Sequence, residues 1–426
     1  MQEEIDWKQS DTPRYAGINA FGFGGINAHV VLEGGDIAKK QNASQIESNI
    51  EKDPVLLLKR TSGSALIHAL ENEETELGRG DHRIVLFNPT PERIKKAIKI
   101  IKRGRSWRNR NDIWYTSTPL LQNGEKVCFL FPGLDGLEDS TTEDVCRYFD
   151  IPALTYQKNT ELVGSVMSVF ACSIILDTAL KKMNITPDVI AGHSLGEWVG
   201  YMSSGICEKE TTLQTLSEQR LSSISVPDVF FLVVGCGLEK VRPIIEGIKD
   251  IYLSHDNCHH QVILCGKKYA LDICKRILDE AQIFNQVLPF QSGFHSPFFQ
   301  EYAKELEDIN VCIQNAPRIP IWSATTVAPY PDDIEGIKEL SVDNLLKPVR
   351  FRELTQKLYE EGARVFIQIG GGGLIGFTDD ILKGMQYSGI SASSTKRTGI
   401  NQIQRVIAAL FVEGREEGIS FLNRIE

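Results

Sequence analysis

A serine in a short glycine-flanked segment is the residue of this sequence best suited to nucleophilic chemistry. Residues 189–197 read VIAGHSLGE, an apolar strand followed by the pattern G-x-S-x-G. At a strand-to-helix turn this pattern lifts the serine Oγ out of the sheet, and small residues flank it because the turn is sharp. The N-terminus of the next helix points backbone N–H groups at the same place, where an oxyanion can be held. The pattern predicts that Ser194 is a nucleophile.

A serine hydroxyl needs a base, and the sequence offers eight histidines. His193 lies within the turn itself, and His259 and His260 fall at a predicted strand edge. His295 lies in the segment SGFHSP, directly after the apolar segment VLPF. Loops on a rigid scaffold commonly carry catalytic groups, which favours His295, but spacing alone leaves the choice open.

Composition restricts the classes of function. The chain has 426 residues, with 42% hydrophobic residues and a formal net charge of −10. As a prior, this length corresponds to two to four domains, and the negative charge argues against nucleic-acid binding. We find no signal peptide in the polar start MQEEIDWKQ and no apolar run typical of a membrane span.

Nine scattered cysteines with no CxxC pair indicate reduced thiols and a cytoplasmic protein. The triplet Cys258-His259-His260 lacks a second ligand pair at a fixed spacing, so we expect no metal site.

Several elements must position these residues. Residues 14–33 contain the glycine-rich loop FGFGG and a strand, and residues 34–53 read as a linker. Apolar periodicity then predicts a small α/β unit over 54–120, in which a helix spans 91–103.

From residue 126 the pattern predicts a buried strand (KVCFLF), a long helix over 159–183 and the strand before Ser194. Residues 229–291 predict a βαββαβ subdomain inserted into this α/β unit. The fold class is therefore α/β.

The motifs together resemble the malonyl-CoA/acyl-CoA:acyl-carrier-protein acyltransferases of type I polyketide synthases and fatty-acid synthases. GHSLGE at 192–197 resembles the family's serine motif, and FHSP at 294–297 resembles its histidine motif. Similar segments are FPG at 131–133, the strand after Asn257, PVRF at 348–351 and VFIQIGGGG at 365–373. Residues 14–33 resemble the last loop and strand of a ketosynthase.

The resemblance implies an α/β-hydrolase-like core with a ferredoxin-like subdomain, preceded by a small α/β linker domain. It divides the chain into a ketosynthase tail (1–35), the linker (36–122), the acyltransferase (123–400, subdomain about 229–291) and a following segment (401–426). Ser194 and His295 would be the catalytic pair, and the backbone N–H groups of Leu134 and Leu195 the oxyanion hole. His193, Asn257 and Phe294 would contact substrate.

The sequence departs from the family at two places. Residues 134–137 read LDGL where the family has QGSQ, although Leu134 still offers its backbone N–H. The arginine that holds the malonyl carboxylate in the family is replaced by Gln219, with Arg220 following. A one-residue offset on a helix turns a side chain by roughly 100°, so either a local irregularity brings Arg220 into the pocket or it lies outside.

The resemblance implies transfer of an acyl group from coenzyme A to the phosphopantetheine thiol of an acyl carrier protein, with no permanently bound cofactor. Phe294 leaves little room for an α-branch and favours malonyl, whereas Gln219 favours a non-carboxylated group. The alternatives are an editing acyl hydrolase and a non-catalytic docking fragment. Expected partners are the carrier protein, the ketosynthase and other synthase domains; no nucleic acid or membrane partner is expected. The basic stretch 93–110 would either attract the acidic carrier protein or be only a solvent-exposed helix face.

Overall fold

The protein consists of two compact units, Met1–Glu51 and Lys52–Glu426. They are seen in a computed structural model that describes residues 14–21, 27–34, 51–134, 142–154, 162–209, 211–212, 225–303 and 310–425. In the first unit, strands β1 (Arg14–Phe21) and β2 (Asn27–Gly34) form an antiparallel pair with Arg14 opposite Gly34. Apart from Phe21, which ends β1, the predicted FGFGG loop lies outside the described residues.

The second unit begins with a five-stranded sheet. Its elements are β3 (Pro54–Arg60), α1 (Gly63–Glu71), β4 (His82–Phe87), α2 (Pro91–Lys102), β5 (Trp107–Arg110), β6 (Ile113–Thr116) and β17 (Asn423–Arg424). The strand order is β17-β3-β4-β6-β5, so the end of the described chain completes the sheet that the sequence predicts as a linker domain. Both helices pack against an apolar face that includes Leu58, Ile84 and Tyr115.

A six-stranded sheet forms the centre of the unit. Its strands are β7 (Lys126–Phe131), β8 (Val189–Gly192), β13 (Ile321–Ser323), β14 (Ala328–Pro329), β15 (Ala363–Gln368) and β16 (Ser388–Ser391). They follow the order β14-β13-β8-β7-β15-β16, and every pairing is parallel except that of β14 with β13. Residues of β7, β8 and β15 are almost all buried, as expected where helices cover both faces of a parallel sheet.

Helices surround the central sheet. They are α3 (Glu143–Phe149), α4 (Leu162–Lys182), α5 (Leu195–Ser204), α8 (Gln300–Ala303), α9 (Ile334–Leu346), α10 (Phe351–Glu360), α11 (Leu374–Ile381) and α12 (Gly399–Val412). Short 3₁₀ turns span Pro297–Phe299 and Ile419–Phe421. The segment Gly164–Lys182 of α4 is long and apolar enough to cross a membrane, but most of it is buried inside the protein, as in a core helix.

The segment from 229 to 291 forms its own antiparallel sheet. The elements are β9 (Val229–Val234), α6 (Leu238–Ile245), β10 (Ile251–Cys258), β11 (Gln261–Lys267), α7 (Lys268–Glu280) and β12 (Asn285–Gln291). The strand order is β10-β11-β9-β12. Leu232 and Val262 pack in the core with both helices, whereas Phe231 and Val233 point to the opposite face because side chains alternate along a strand. That opposite face forms one wall of the site described next.

Candidate active site

Ser194 lies at the turn from β8 to α5 in a strained conformation. Its φ of 54° and ψ of −117° are unusual for a residue with a side chain. The turn requires glycine on both sides, since a Cβ at Gly192 would lie 2.2 Å from the Glu197 backbone nitrogen. A Cβ at Gly196 would lie 1.9 Å from the Phe131 carbonyl oxygen. The two glycines therefore let α5 approach β7 closely enough to present Ser194 at the end of the sheet.

The Ser194 hydroxyl forms a hydrogen bond with His295. Its Oγ lies 2.6 Å from His295 Nε2. The backbone of His295 also has a positive φ, 59°, and its N–H donates to the Leu345 carbonyl over 2.7 Å, which fixes the loop against α9. Burial lowers the pKa of His295 to about 4, partly offset by the Asn344 backbone. The imidazole is therefore neutral at pH 7 and able to accept the serine proton.

Three histidine rings lie side by side at the site. The His255 ring stacks on His193 at 5.2 Å and meets His295 edge-on at 4.8 Å between ring centroids. Burial, followed by the charges of His295 and His193, lowers the pKa of His255 well below its ordinary value. The Ser254 hydroxyl bonds His255 Nδ1 at 2.9 Å and donates to the Phe294 carbonyl at 3.3 Å. This chain of bonds links β10 to the loop that carries His295.

The side-chain amide of Asn257 orients His193, the residue that precedes Ser194 in the turn. Its Oδ1 lies 2.8 Å from His193 Nε2, and its Nδ2 donates to Gln261 Oε1 over 2.8 Å. The bond to Asn257 fixes the ring of His193. The backbone of His193 is held separately, because its N–H donates to the Phe131 carbonyl over 2.9 Å. The structure thus brings His193 and Asn257 together beside Ser194.

Leu134 and Leu195 are the two residues predicted to form the oxyanion hole. Leu195 is the first residue of α5, where backbone N–H groups have no acceptor within the helix. Leu134 follows the turn Pro132-Gly133 at the end of β7 and lines the same cavity as Ser194.

A cavity of about 340 Å³ opens from Ser194. Its lining consists of Leu134, His193, Ser194, Phe231, Val233, His255, Asn257, Gln261, Ile263, Leu288, Phe290, Phe294, His295 and Phe377. None of these described residues is Lys, Arg, Asp or Glu. Phe294 packs on Phe299 with ring centroids 4.3 Å apart, which holds its ring beside His295.

The predicted specificity residues Gln219 and Arg220 lie outside the described residues. Two arginines of the PVRF region are described, and both are engaged in ion pairs. Arg350 forms a bidentate pair with Glu353, and the Nε of Arg352 lies 3.1 and 3.0 Å from the carboxylate oxygens of the buried Asp256. Neither arginine lines the cavity.

Sequence reasoning missed two residues that shape the site. One is His255, which strict alternation with Ile251 and Leu253 would direct to the helix-covered face. A register shift between Leu253 and His255, a β-bulge, reverses the phase and turns His255 into the cavity.

The second is Gln368, whose buried amide donates to the carbonyls of Gly370, Gly371 and Gly372 at 3.1, 2.6 and 3.0 Å. It thereby organises the glycine-rich loop next to Pro132. Its position at the end of an apolar strand, two residues before the glycine run, was the available signal.

The comparison with known proteins assigns the chain to a family. Residues 53–372, about three quarters of the chain, match the Acyl transferase domain family, and the chain belongs to that family.

Two curated relatives illustrate the range of the similarity. The Malonyl CoA-acyl carrier protein transacylase of Bacillus subtilis (strain 168) is 24% identical over 58% of this chain and 87% of its own length. The Phenolphthiocerol synthesis polyketide synthase type I Pks15/1 of Mycobacterium marinum is 20% identical over 97% of this chain. The chain spans only 22% of that synthase.

Solved structures show the same fold. The acyltransferase domain of SpnD, in complex with 2-(pent-4-yn-1-yl)malonyl, superposes with a TM-score of 0.68 at 18% identity, covering 85% of this chain and 97% of that one. An acyltransferase domain of an iterative polyketide synthase in enediyne biosynthesis gives 0.67 at 19% identity, covering 87% and 99%. The predicted α/β class is confirmed, and the fold is that of polyketide synthase acyltransferase domains.

Proposed function

We propose that this protein transfers an acyl group from coenzyme A to the phosphopantetheine thiol of an acyl carrier protein through an ester on Ser194. The observation that carries the proposal is the 2.6 Å contact between Ser194 Oγ and a buried, neutral His295. Among the described residues no side chain bonds His295 Nδ1, so the pair acts as a dyad.

Acylation proceeds in one addition and one elimination. His295 Nε2 takes the hydroxyl proton as Ser194 Oγ attacks the thioester carbonyl, and the Leu134 and Leu195 N–H groups hold the oxyanion. The C–S bond then breaks, and His295 returns the proton to the coenzyme A sulfur. In the second half-reaction His295 takes the proton of the carrier thiol and the thiolate attacks the ester carbonyl. The C–O bond to Ser194 then breaks, and His295 returns the proton to Ser194 Oγ.

Malonyl is the first candidate for the acyl group. The Bacillus subtilis relative is named for malonyl transfer, and Phe294 resembles the form of the motif that favours an acyl group without an α-branch. A non-carboxylated acyl group is the second candidate. It is favoured by Gln219 and by the absence of a charged side chain among the described residues of the cavity lining.

The chain is proposed to work as part of a larger synthase. Residues 1–35 resemble a ketosynthase tail, residues 36–122 the linker domain and residues 401–426 the segment after the acyltransferase (123–400). The order β10-β11-β9-β12 supports a ferredoxin-like subdomain at about 229–291, and the parallel sheet carrying Ser194 supports a hydrolase-like core. Partners would be the carrier protein, the ketosynthase and other domains of the synthase, in the cytoplasm.

Transfer and editing hydrolysis are separated by a time course. The protein is acylated with malonyl-CoA and with acetyl-CoA, and the ester on Ser194 is followed by intact mass with and without a phosphopantetheinylated carrier protein. A transferase keeps its ester until the carrier is added and then moves it to the carrier thiol. Loss of the ester at the same rate in both samples would identify a hydrolase.

A further inference from the structure

One face of the β10-β11-β9-β12 sheet forms an apolar wall of the cavity beside Ser194. Helices α6 and α7 cover the other face of the β10-β11-β9-β12 sheet, and Leu232, Val234, Val262 and Leu264 pack beneath them. On the opposite face, Phe231, Val233, Ile263, Leu288 and Phe290 line the cavity. These five apolar side chains come from three neighbouring strands, β9, β11 and β12, and together form an apolar wall suited to contact with a hydrocarbon group.

The polar groups of the cavity lining cluster near Ser194, so the part of the cavity farthest from Ser194 is apolar. Ser194, His193, His255 and His295 cluster at one end, where the acyl carbonyl would react. Asn257 is engaged with both His193 and Gln261. Phe231 and Phe290 face each other at 5.5 Å between ring centroids, and Phe377 contributes a further ring.

We propose that this apolar wall binds the hydrocarbon tail of a straight-chain acyl group, so that the enzyme loads medium-chain fatty acyl thioesters in preference to malonyl. This rests on the proposed acyl transfer by Ser194 and selects the second of its two candidate acyl groups. The cavity volume of about 340 Å³ is within the range of small-molecule sites, roughly 300–1,000 Å³. Phe294 beside His295 favours a chain that is unbranched at the α-carbon.

The first test is a chain-length series. Second-order rate constants for ester formation on Ser194 are measured by rapid quench and intact mass with acetyl-, butyryl-, hexanoyl-, octanoyl- and malonyl-CoA. The expected result is an increase of about fourfold per added methylene until the cavity is full, and a malonyl rate below that of hexanoyl. A malonyl rate above all straight-chain donors, or a flat series, would overturn the proposal. Failure of every donor to acylate the protein would instead refute acyl transfer itself.

The second test places a larger side chain in the apolar wall and so reduces the space in the cavity. Val233→Phe should shift the preference to shorter chains, lowering the octanoyl rate at least about tenfold relative to acetyl, since two or more methylenes lose their place. The matched control is Val287→Phe, the same substitution on β12 at a residue that is 40% exposed and outside the cavity. Retained acetyl loading shows that the variant is folded.

The variants also separate a tail site from a site for the donor's pantetheine arm. If the wall binds pantetheine, Val233→Phe lowers the acetyl and octanoyl rates by the same factor. That result would overturn the proposal, as would an equal response of the two Phe variants. Val233→Ala, which enlarges the cavity, should move the optimum to a longer chain.

Discussion

Burial keeps His295 neutral and therefore able to act as a base, and the His255 ring contributes to that burial. A histidine with its pKa lowered to about 4 is deprotonated, and therefore active, at every pH above that value. The acid limb of ester formation is expected near pH 4, well below the usual histidine value of about 6.5. His255 covers one edge of the His295 ring and links β10 to its loop through Ser254.

Removing the His255 ring should move that acid limb. His255→Ala admits water to His295, which favours the charged imidazole, so the limb should rise from about pH 4 towards 6.5. His255→Phe keeps an apolar ring in place and should leave the limb low, although it loses the bond to Ser254. The measurement is the pH dependence of the single-turnover acylation rate. An unchanged limb in the Ala variant would show that His255 does not shield the base.

Some residues of the site can be predicted from the sequence, and others cannot. Ser194 and His295 carry motifs that sterics and chemistry restrict, because Gly192 and Gly196 admit no side chain. His255 carries no such restriction, and its direction depends on a bulge that alternation alone does not predict. The roles of Gln219 and Arg220 remain predictions from the resemblance.

At the level of elements, the basic stretch 93–110 turns out to have two parts. Several of its cations are used internally: Arg93 donates to the Phe87 and Asn88 carbonyls, and Arg108 pairs with the fully buried Glu413 at 2.6 Å. Arg103, Arg105 and Arg110 are exposed around a groove of about 580 Å³ that includes Trp107. These three arginines, together with the exposed Lys95, Lys99 and Lys102 of α2, are available to attract an acidic carrier protein.

Charge reversal at Arg103, Arg105 and Arg110 should therefore raise the KM for a carrier protein on the order of tenfold at low salt, through a slower association rate. The KM for acyl-CoA should not change. The matched control reverses Lys268 and Lys275, exposed cations on α7 away from the groove. An unchanged carrier KM in about 20–50 mM salt, where the Debye length is roughly 14–21 Å, would contradict this role.

Elements were predicted well where their pattern is local. KVCFLF is β7 within the bounds expected, and the helix over 91–103 is Pro91–Lys102, capped by Thr90. The pairing of β17 with β3 could not be predicted, because it joins segments more than 360 residues apart and β17 has only two residues.

At the level of the whole molecule, the C-terminal helix holds the first sheet of the second unit. Arg405 on α12 is 2% exposed and forms ion pairs with Asp53 and, at 3.3 Å, with Asp112. Its guanidinium also lies over the Phe87 ring at 4.0 Å. Removal of this buried cation leaves Asp53 without its ion pair, whereas Asp112 keeps its pair with Arg397.

Arg405→Ala is expected to lower the free energy of unfolding by about 3–5 kcal/mol. Arg397→Ala removes a more exposed cation that also pairs with Asp112 and should cost at most about 1 kcal/mol. Urea unfolding followed by tryptophan fluorescence measures both. Equal losses in the two variants would show that burial does not set the strength of these pairs.

The central claim is that Ser194 carries the acyl group and that His295 activates it. The most direct measurement is intact-mass analysis of the wild type, Ser194→Ala and His295→Ala after exposure to malonyl-CoA and the straight-chain acyl-CoAs. We expect one acyl group on the wild type, none on Ser194→Ala, and ester formation slowed by on the order of 10² or more in His295→Ala. An undiminished acyl mass shift on Ser194→Ala would contradict the account.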